Sequence, residues 1–250
     1  MPGGDTALLS PPVDHASRID AVARESATLA DALAAGPLDA RVPSCPEWSV
    51  AELGAHVGNV VGLWAHVLCE GTGRPKPPVP DPPVDGDLAG WFRDVAGALV
   101  EELRATPEDT EVWTWMPGER SPAFVGRRMA HEVAVHRIDA QLARGAPTPI
   151  DPALAADGIE EVLLIVQADD EVAGDGRTLH LHGTDRGDEW LLTLAPGGLE
   201  VARTHGKADL ALRGAVSDLE LVLYQRPPIG PVEHLGDDDA LVAWHRAFTF

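Results

Sequence analysis

The chain changes its hydrophobic period once, and that change limits the folds open to it. Upstream of residues 145–152, apolar residues recur at the three- and four-residue spacing of amphipathic helices; downstream, short runs alternate as strands do. The join, GAPTPIDP, carries three prolines, a composition suited to a boundary between compact units. The pattern predicts a helical domain over residues 1–148 and a smaller α+β domain over residues 149–250. A chain of 250 residues is long enough for each to bury a core.

Four helices are predicted in the first part, the number a four-helix bundle needs. The first covers about His15 to Leu33 and stops before Gly36-Pro37. The second has the fullest start signals: Ser49 as N-cap, Glu52 three residues on as a capping box, and Trp48 placed to staple onto Leu53. It runs to about Cys69 and ends at Gly71. A proline-rich loop from Pro75 to Pro83 follows. A third helix spans about Leu88 to Leu103 and closes at Thr106-Pro107. The fourth opens at Ser121 with Pro122 in its first turn and continues to about Arg144.

In the second part Asp151-Pro152 caps a helix reaching about Asp169. TLHLH, EWLLTLA, LEVAR and ADLALRG then read as four strands separated by Gly and Asp turns. Ser217 and Glu220 have capping-box spacing and predict a helix to about Gln225; a last helix covers about Asp238 to Phe248. Strands between helices indicate a layered α+β domain.

Composition narrows the partners. The formal net charge of -21 at pH 7 repels phosphate backbones and anionic membrane surfaces, so neither nucleic acid nor membrane is expected as a partner. No stretch reaches the roughly 18 apolar residues of a bilayer span. Residues Met1 to Leu9 lack a basic n-region and a long apolar h-region, and two cysteines, Cys45 and Cys69, make no disulfide framework. The expectation is a reduced, cytoplasmic protein. No exposed heptad seam speaks for a particular assembly, and a monomer or small homo-oligomer is expected.

The chemistry-bearing residues lie on the predicted second and fourth helices. In MAHEVAVHRIDAQ, Glu132 and His136 are four residues apart, about 40° around a helix axis. They share a face with Val125, Met129, Ala140 and Ala143, the stripe expected to face the bundle interior. An unpaired carboxylate there is costly or takes up a proton, so it needs a partner, which a divalent metal or an arginine supplies. His131-Glu132 begins like the zinc motif H-E-x-x-H, but the second histidine comes one residue late. His131 and His136 are then about 140° apart and cannot chelate one ion from a regular helix. On the second helix Leu53, Val57, Val60, Trp64 and Leu68 mark the expected core face. His56 sits at its edge, about 60° from Leu53 and 40° from Val60. His66 lies on the opposite side. His56, Glu132 and His136 can thus converge as two imidazoles and a carboxylate, a donor set that leaves positions for water or substrate. Spacing alone also allows a surface Glu/His pair and a lone core histidine.

VPSCPEWSVAELGAHVGNV resembles the signature of the mycothiol-dependent maleylpyruvate isomerase family: Pro-x-Cys-Pro-x-Trp, then a helix with the first metal histidine. MAHEVAVHRIDAQ resembles its second signature, with Glu and His four apart before Arg and Asp. ADLALRGAVSDLELVLYQRPP is similar to the family's C-terminal domain. The resemblance runs from about Ala16 to the C-terminus. It implies a DinB/YfiT-like four-helix bundle followed by a sterol-carrier-like α/β domain. It also implies His56, Glu132 and His136 as metal ligands, with zinc the usual occupant, and mycothiol as thiol cofactor.

Arg226 matches a C-terminal-domain arginine that the family uses near its substrate; an ordinary helix-end cation is the other reading. Asp139 either orients a ligand or pairs with Arg128 or a neighbour. Cys45 is either a nucleophile or a structural loop cysteine. Trp113 and Trp115 either fill the core or line a cavity mouth.

The implied activity is cis–trans isomerisation of a maleylpyruvate-like small molecule. A metal-activated thiolate adds to the double bond, the single bond rotates, and elimination follows, with Arg226 on a substrate carboxylate or enolate. The alternatives are a mycothiol S-transferase acting on an electrophilic metabolite or drug, and a non-enzymatic ligand-binding protein. Iron, nickel and manganese are not separated from zinc by the ligand set.

Overall fold

The computed structural model describes residues 13–71, 81–83 and 86–248. These form two compact units, one over Val13–Thr148 and the other from Pro149 onward. The proline-rich loop expected over Pro75 to Pro83 falls outside the described residues except for Asp81–Pro83.

Four helices build the first unit: α1 (His15–Ala34), α2 (Val50–Glu70), α3 (Leu88–Ala105) and α4 (Pro122–Ala143). Each start has a side-chain cap for its unpaired N–H groups. Asp14 accepts from the Ser17 N–H at 2.7 Å, Asp87 from Gly90 at 2.8 Å, and Ser121 from Phe124 at 3.4 Å. At α2 the capping box closes both ways, Glu52 N–H to Ser49 Oγ at 3.2 Å and Ser49 N–H to the Glu52 carboxylate at 2.7 Å. The open carbonyls ending α1 are met by Arg144, just past the end of α4, which donates to Ala32 O at 2.9 Å and Leu33 O at 3.3 Å.

α1 packs on α4 and α3, and α2 on α3 and α4, so the helices close a ring in the order α1–α4–α2–α3. The buried face of α2 contains Leu53, Val57, Val61, Trp64 and Leu68. Val60, expected on that face, is only half-buried. The reason is that α2 packs more extensively on α3 than on α4. Gly58 allows this approach: a Cβ there would lie 2.2 Å from the Trp91 ring.

A small antiparallel hairpin between α1 and α2 pairs β1 (Arg41–Val42) with β2 (Cys45–Ser49). β1 packs on α4 and both strands pack on α2, so the hairpin covers the edge where these helices meet. Nothing in the hydrophobic period marks it, because β2 is five residues long, includes Pro46 and carries no buried alternation. With α1, α2 and the hairpin all against it, α4 is buried round most of its circumference, Arg128, His131, His136, Arg137 and Asp139 included.

The second unit runs α5 (Pro152–Gln167), β3 (Thr178–Gly183), β4 (Glu189–Ala195), β5 (Gly198–Ala202), β6 (Leu210–Gly214), α6 (Val216–Leu223), β7 (Glu233–Gly236) and α7 (Asp239–Ala247). Its sheet has the order β5-β4-β3-β6-β7, antiparallel except for the parallel β3–β6 pair. Leu179, Leu181, Trp190, Leu192, Leu194, Leu210 and Leu212 are buried. α5 packs on β5 and α6, and α6 on β3 and β6. The architecture is thus a helical bundle followed by a smaller α/β domain.

Two details differ from the sequence pattern. Ser217 does not cap α6. The N-cap position is Ala215, and Ser217 lies inside the helix, where its Oγ accepts from the Ile150 N–H at 2.9 Å. Asp185, distant in sequence, supplies the acceptor for the Val216 N–H at 3.0 Å. The edge strand β7 was not expected, since its four residues are all exposed and give no hydrophobic signal. Among the described residues no helix is long and apolar enough to cross a membrane.

A buried ion pair joins α1 and α4. Arg137 Nε donates to Glu25 at 2.9 Å, with side chains 3% and 6% exposed. Its Nη1 donates to Gln141 and Thr148 Oγ1, both at 2.9 Å. Replacing Arg137 by alanine removes the buried partner of Glu25 and leaves its carboxylate to the half-exposed Arg24, whose Nε lies 3.2 Å from Oε1; a loss of about 2–4 kcal/mol is expected in denaturant unfolding. A loss below about 1 kcal/mol would show that Arg24 or water satisfies the carboxylate without Arg137.

Candidate metal centre

His56 on α2 meets Glu132 and His136 on α4 at the edge beneath the hairpin. Glu132 Oε1 lies 3.6 Å from His56 Nε2 and 3.4 Å from His136 Nε2. Two imidazole nitrogens therefore address one carboxylate oxygen, and one ligand atom from each residue lies within 4.8 Å of the others. The second oxygen, Oε2, accepts from Arg128 Nη2 at 2.5 Å. The arginine that the sequence left as an alternative counter-charge is present, but on the other side of the carboxylate.

Asp139, fully buried one turn along α4, sets the His136 ring. Its Oδ2 lies 2.8 Å from His136 Nδ1, and its Oδ1 accepts from Ser44 Oγ at 2.5 Å. With Nδ1 held by this bond, Nε2 is the ring nitrogen directed toward Glu132 and His56. Trp48 on β2 lies over both rings, its centroid 4.7 Å from that of His56 and 6.4 Å from that of His136. The two histidine rings meet edge to face at 5.3 Å.

The electrostatics follow from this packing. Burial works against the Glu132 carboxylate, but the His136 and His56 hydrogen bonds and the Arg128 charge hold its pKa well below the ordinary range. Burial also works against charged His136, yet its bonds to Asp139 and Glu132 raise its pKa to about 9. Without metal, His136 is thus an imidazolium between two carboxylates, a place already built for positive charge.

The donor set fits a divalent metal. Two histidine Nε2 atoms and one carboxylate oxygen converge, and a buried carboxylate holds the far nitrogen of one ligand, as ligating histidines require. The cluster is not sealed, since the His56 side chain is 38% exposed while that of His136 is 10% exposed.

Other candidates fall elsewhere. His131 is fully buried on α4 and His66 is half-buried on α2; neither joins the cluster. Cys45 lies on β2, and neither it nor Cys69 is in a disulfide. Trp113 stacks on Trp64 at 6.0 Å, while exposed Trp115 meets Phe124 edge-on at 5.6 Å. In the second unit Arg226 follows the end of α6, after Gln225 at φ 61°, and its Nη1 donates to Tyr224 O at 2.7 Å.

Ser44 and the present role of Trp48 were missed by the sequence pattern. Their only signal is the Pro-x-Cys-Pro-x-Trp spacing that places both on the hairpin.

Residues 19–141 match the mycothiol maleylpyruvate isomerase N-terminal domain. No curated protein matches the chain by sequence. The crystal structure of the mycothiol-dependent maleylpyruvate isomerase is similar over 88% of this chain and 92% of that one, with TM-score 0.62 and 16% identity. A histidine-to-alanine mutant of that enzyme is similar over 85% and 88%, with TM-score 0.60 and 14% identity. At these identities the structural likeness is one of fold, bundle and α/β domain together. The matched segment holds His56, Glu132 and His136, and over that segment the chain carries the mycothiol maleylpyruvate isomerase N-terminal domain.

Proposed function

We propose that this protein is a metal- and mycothiol-dependent isomerase that converts a maleylpyruvate-like cis substrate into its trans isomer. The observation that carries the reading is the convergence of His56 Nε2 and His136 Nε2 on Glu132 Oε1, inside the segment matching the family's N-terminal domain. These three residues would hold one ion, and zinc suits two imidazoles and a carboxylate. An ion held there would supply acidification of a thiol at neutral pH.

The chain's own residues prepare that place. Asp139 keeps a proton on His136 Nδ1, and Ser44 holds Asp139 in turn. Arg128 keeps Glu132 ionised and fixes its rotamer through Oε2. Trp48 packs against the two imidazoles and limits their rotation. Arg226 is proposed to hold a substrate carboxylate, a task suited to the planar guanidinium fork and supported by the family resemblance of its segment.

One observation favours a second reading at the same site. The His56 side chain is 38% exposed, so the cluster is open to solvent on that flank, as a thiol S-transferase acting on varied electrophiles would need.

Zinc-loaded protein mixed with mycothiol and maleylpyruvate should yield the trans isomer while the thiol concentration stays constant. Thiol consumed in step with turnover on an electrophile, with no isomerisation, would assign the transferase, and inertness in both assays would contradict both readings. His136→Ala should fall to the rate of mycothiol alone; a wild-type rate would remove His136 from the chemistry. Asp139→Asn keeps the shape but disturbs the His136 tautomer. It should weaken zinc binding about 10–100-fold in competition with a chromophoric chelator, and unchanged affinity would deny Asp139 that role.

A further inference from the structure

The sheet of the second unit carries another convergence of metal-binding side chains, made of residues the isomerase reading does not use. His180 and His182 are two apart on β3 and so share a face, opposite to that of Leu179 and Leu181. β4 runs antiparallel beside them, with Glu189 directly across from His182 and Leu191 across from His180. Cross-strand partners project to the same side, which puts Glu189 among the histidines. His205 arrives from the segment between β5 and β6.

Glu189 stands at the centre. Its Oε2 lies 2.8 Å from His180 Nε2 and 2.7 Å from His205 Nδ1, and its Oε1 lies 3.2 Å from His182 Nδ1. One ligand atom from each of the four residues lies within 4.8 Å of all the others. Local structure enforces the approach of His205. Arg203 Nε donates to Glu160 on α5 at 2.9 Å and fixes the start of its segment. Gly206 then lets the backbone lie on the sheet, because a Cβ there would come within 2.7 Å of Leu191 Cδ2. The His180 side chain is 5% exposed and that of His205 78%, so the group has a buried anchor and an accessible outer member.

Charge balance alone does not account for this arrangement. A single carboxylate is neutralised by one imidazolium, whereas three imidazoles turn a ring nitrogen toward Glu189. In a tetrahedral zinc site with bonds near 2.0–2.1 Å, neighbouring ligand atoms sit about 3.3 Å apart. His180 and His205 hydrogen-bond Glu189 Oε2 at 2.8 and 2.7 Å and His182 lies 3.2 Å from Oε1, so small side-chain rotations would open the group to that edge around an ion.

We propose that His180, His182, Glu189 and His205 form a zinc site of their own, separate from the one on the bundle. Four protein ligands close its coordination, which is the mark of a structural ion. It ties the β3–β4 hairpin to the segment leading into β6.

Metal counting on the full chain tests this. Protein stripped with chelator is loaded with zinc and desalted, and the bound metal is measured by mass spectrometry. Wild type, His56→Ala, the double variant His182→Ala/His205→Ala, and all three changes combined are compared. The expected values are two ions in wild type, one in His56→Ala, one in the double variant and none in the combination. A double variant that holds as much zinc as wild type overturns the proposal, and so does a His56→Ala protein that holds none. The His56→Ala count leaves all four sheet residues in place, so it tests the site even if the double variant does not fold. Failure of the bundle reading alone would look different: His56→Ala would equal wild type while the double variant still lost one ion.

Discussion

Asp139 has no access to solvent, and both of its carboxylate oxygens are committed: one to His136 Nδ1 and one to Ser44 Oγ. The first bond decides which nitrogen of His136 faces the cluster. The second ties α4 to the turn of the β1–β2 hairpin, which also brings Trp48 over His56 and His136. The orientation of the site and the seating of the hairpin therefore depend on the same buried carboxylate. A hydrophobic residue at that position would suit the core better and would release both.

The same trade appears along the rest of α4. Arg128, Glu132, His136, Arg137 and Asp139 bring five ionisable groups into one helix of a small bundle. Replacing buried ion pairs with well-packed apolar side chains is often neutral or stabilising, so such groups are weak contributors to stability. Their arrangement makes sense as preparation of a binding place. Arg128 and Asp139 take the outer oxygen and the outer nitrogen, and what is left pointing inward is Glu132 Oε1 and His136 Nε2. His56 adds the third donor from α2, the helix whose start is the most firmly capped in the bundle.

Features legible in the sequence were those set by neighbours along the chain. The four bundle helices, the Ser49–Glu52 box and the strands β3 to β6 each follow from local periodicity and caps. The α6 start was misread because the acceptor for Val216 N–H is Asp185, thirty-one residues away, while Ser217 is claimed by Ile150. The hairpin and β7 were invisible because neither has an alternating apolar run. At the site, four-residue spacing placed Glu132 and His136 on one face, the edge of the α2 apolar stripe offered His56 as their partner, and the resemblance implied all three as ligands. The contribution of Ser44 needed the hairpin first. The histidines of TLHLH were equally visible as an alternating pair, but nothing local shows that strand register sets Glu189 beside them or that Gly206 brings in His205.

The central claim is that His56, Glu132 and His136 bind one metal through the atoms that already converge. Anomalous diffraction at the zinc edge, from crystals of the zinc-loaded protein, tests it most directly. The expected result is a peak within about 2.0–2.2 Å of His56 Nε2, Glu132 Oε1 and His136 Nε2, with Asp139 still on His136 Nδ1. Density showing Glu132 held only by Arg128, with no anomalous peak between the two histidines in zinc-saturated crystals, would contradict it.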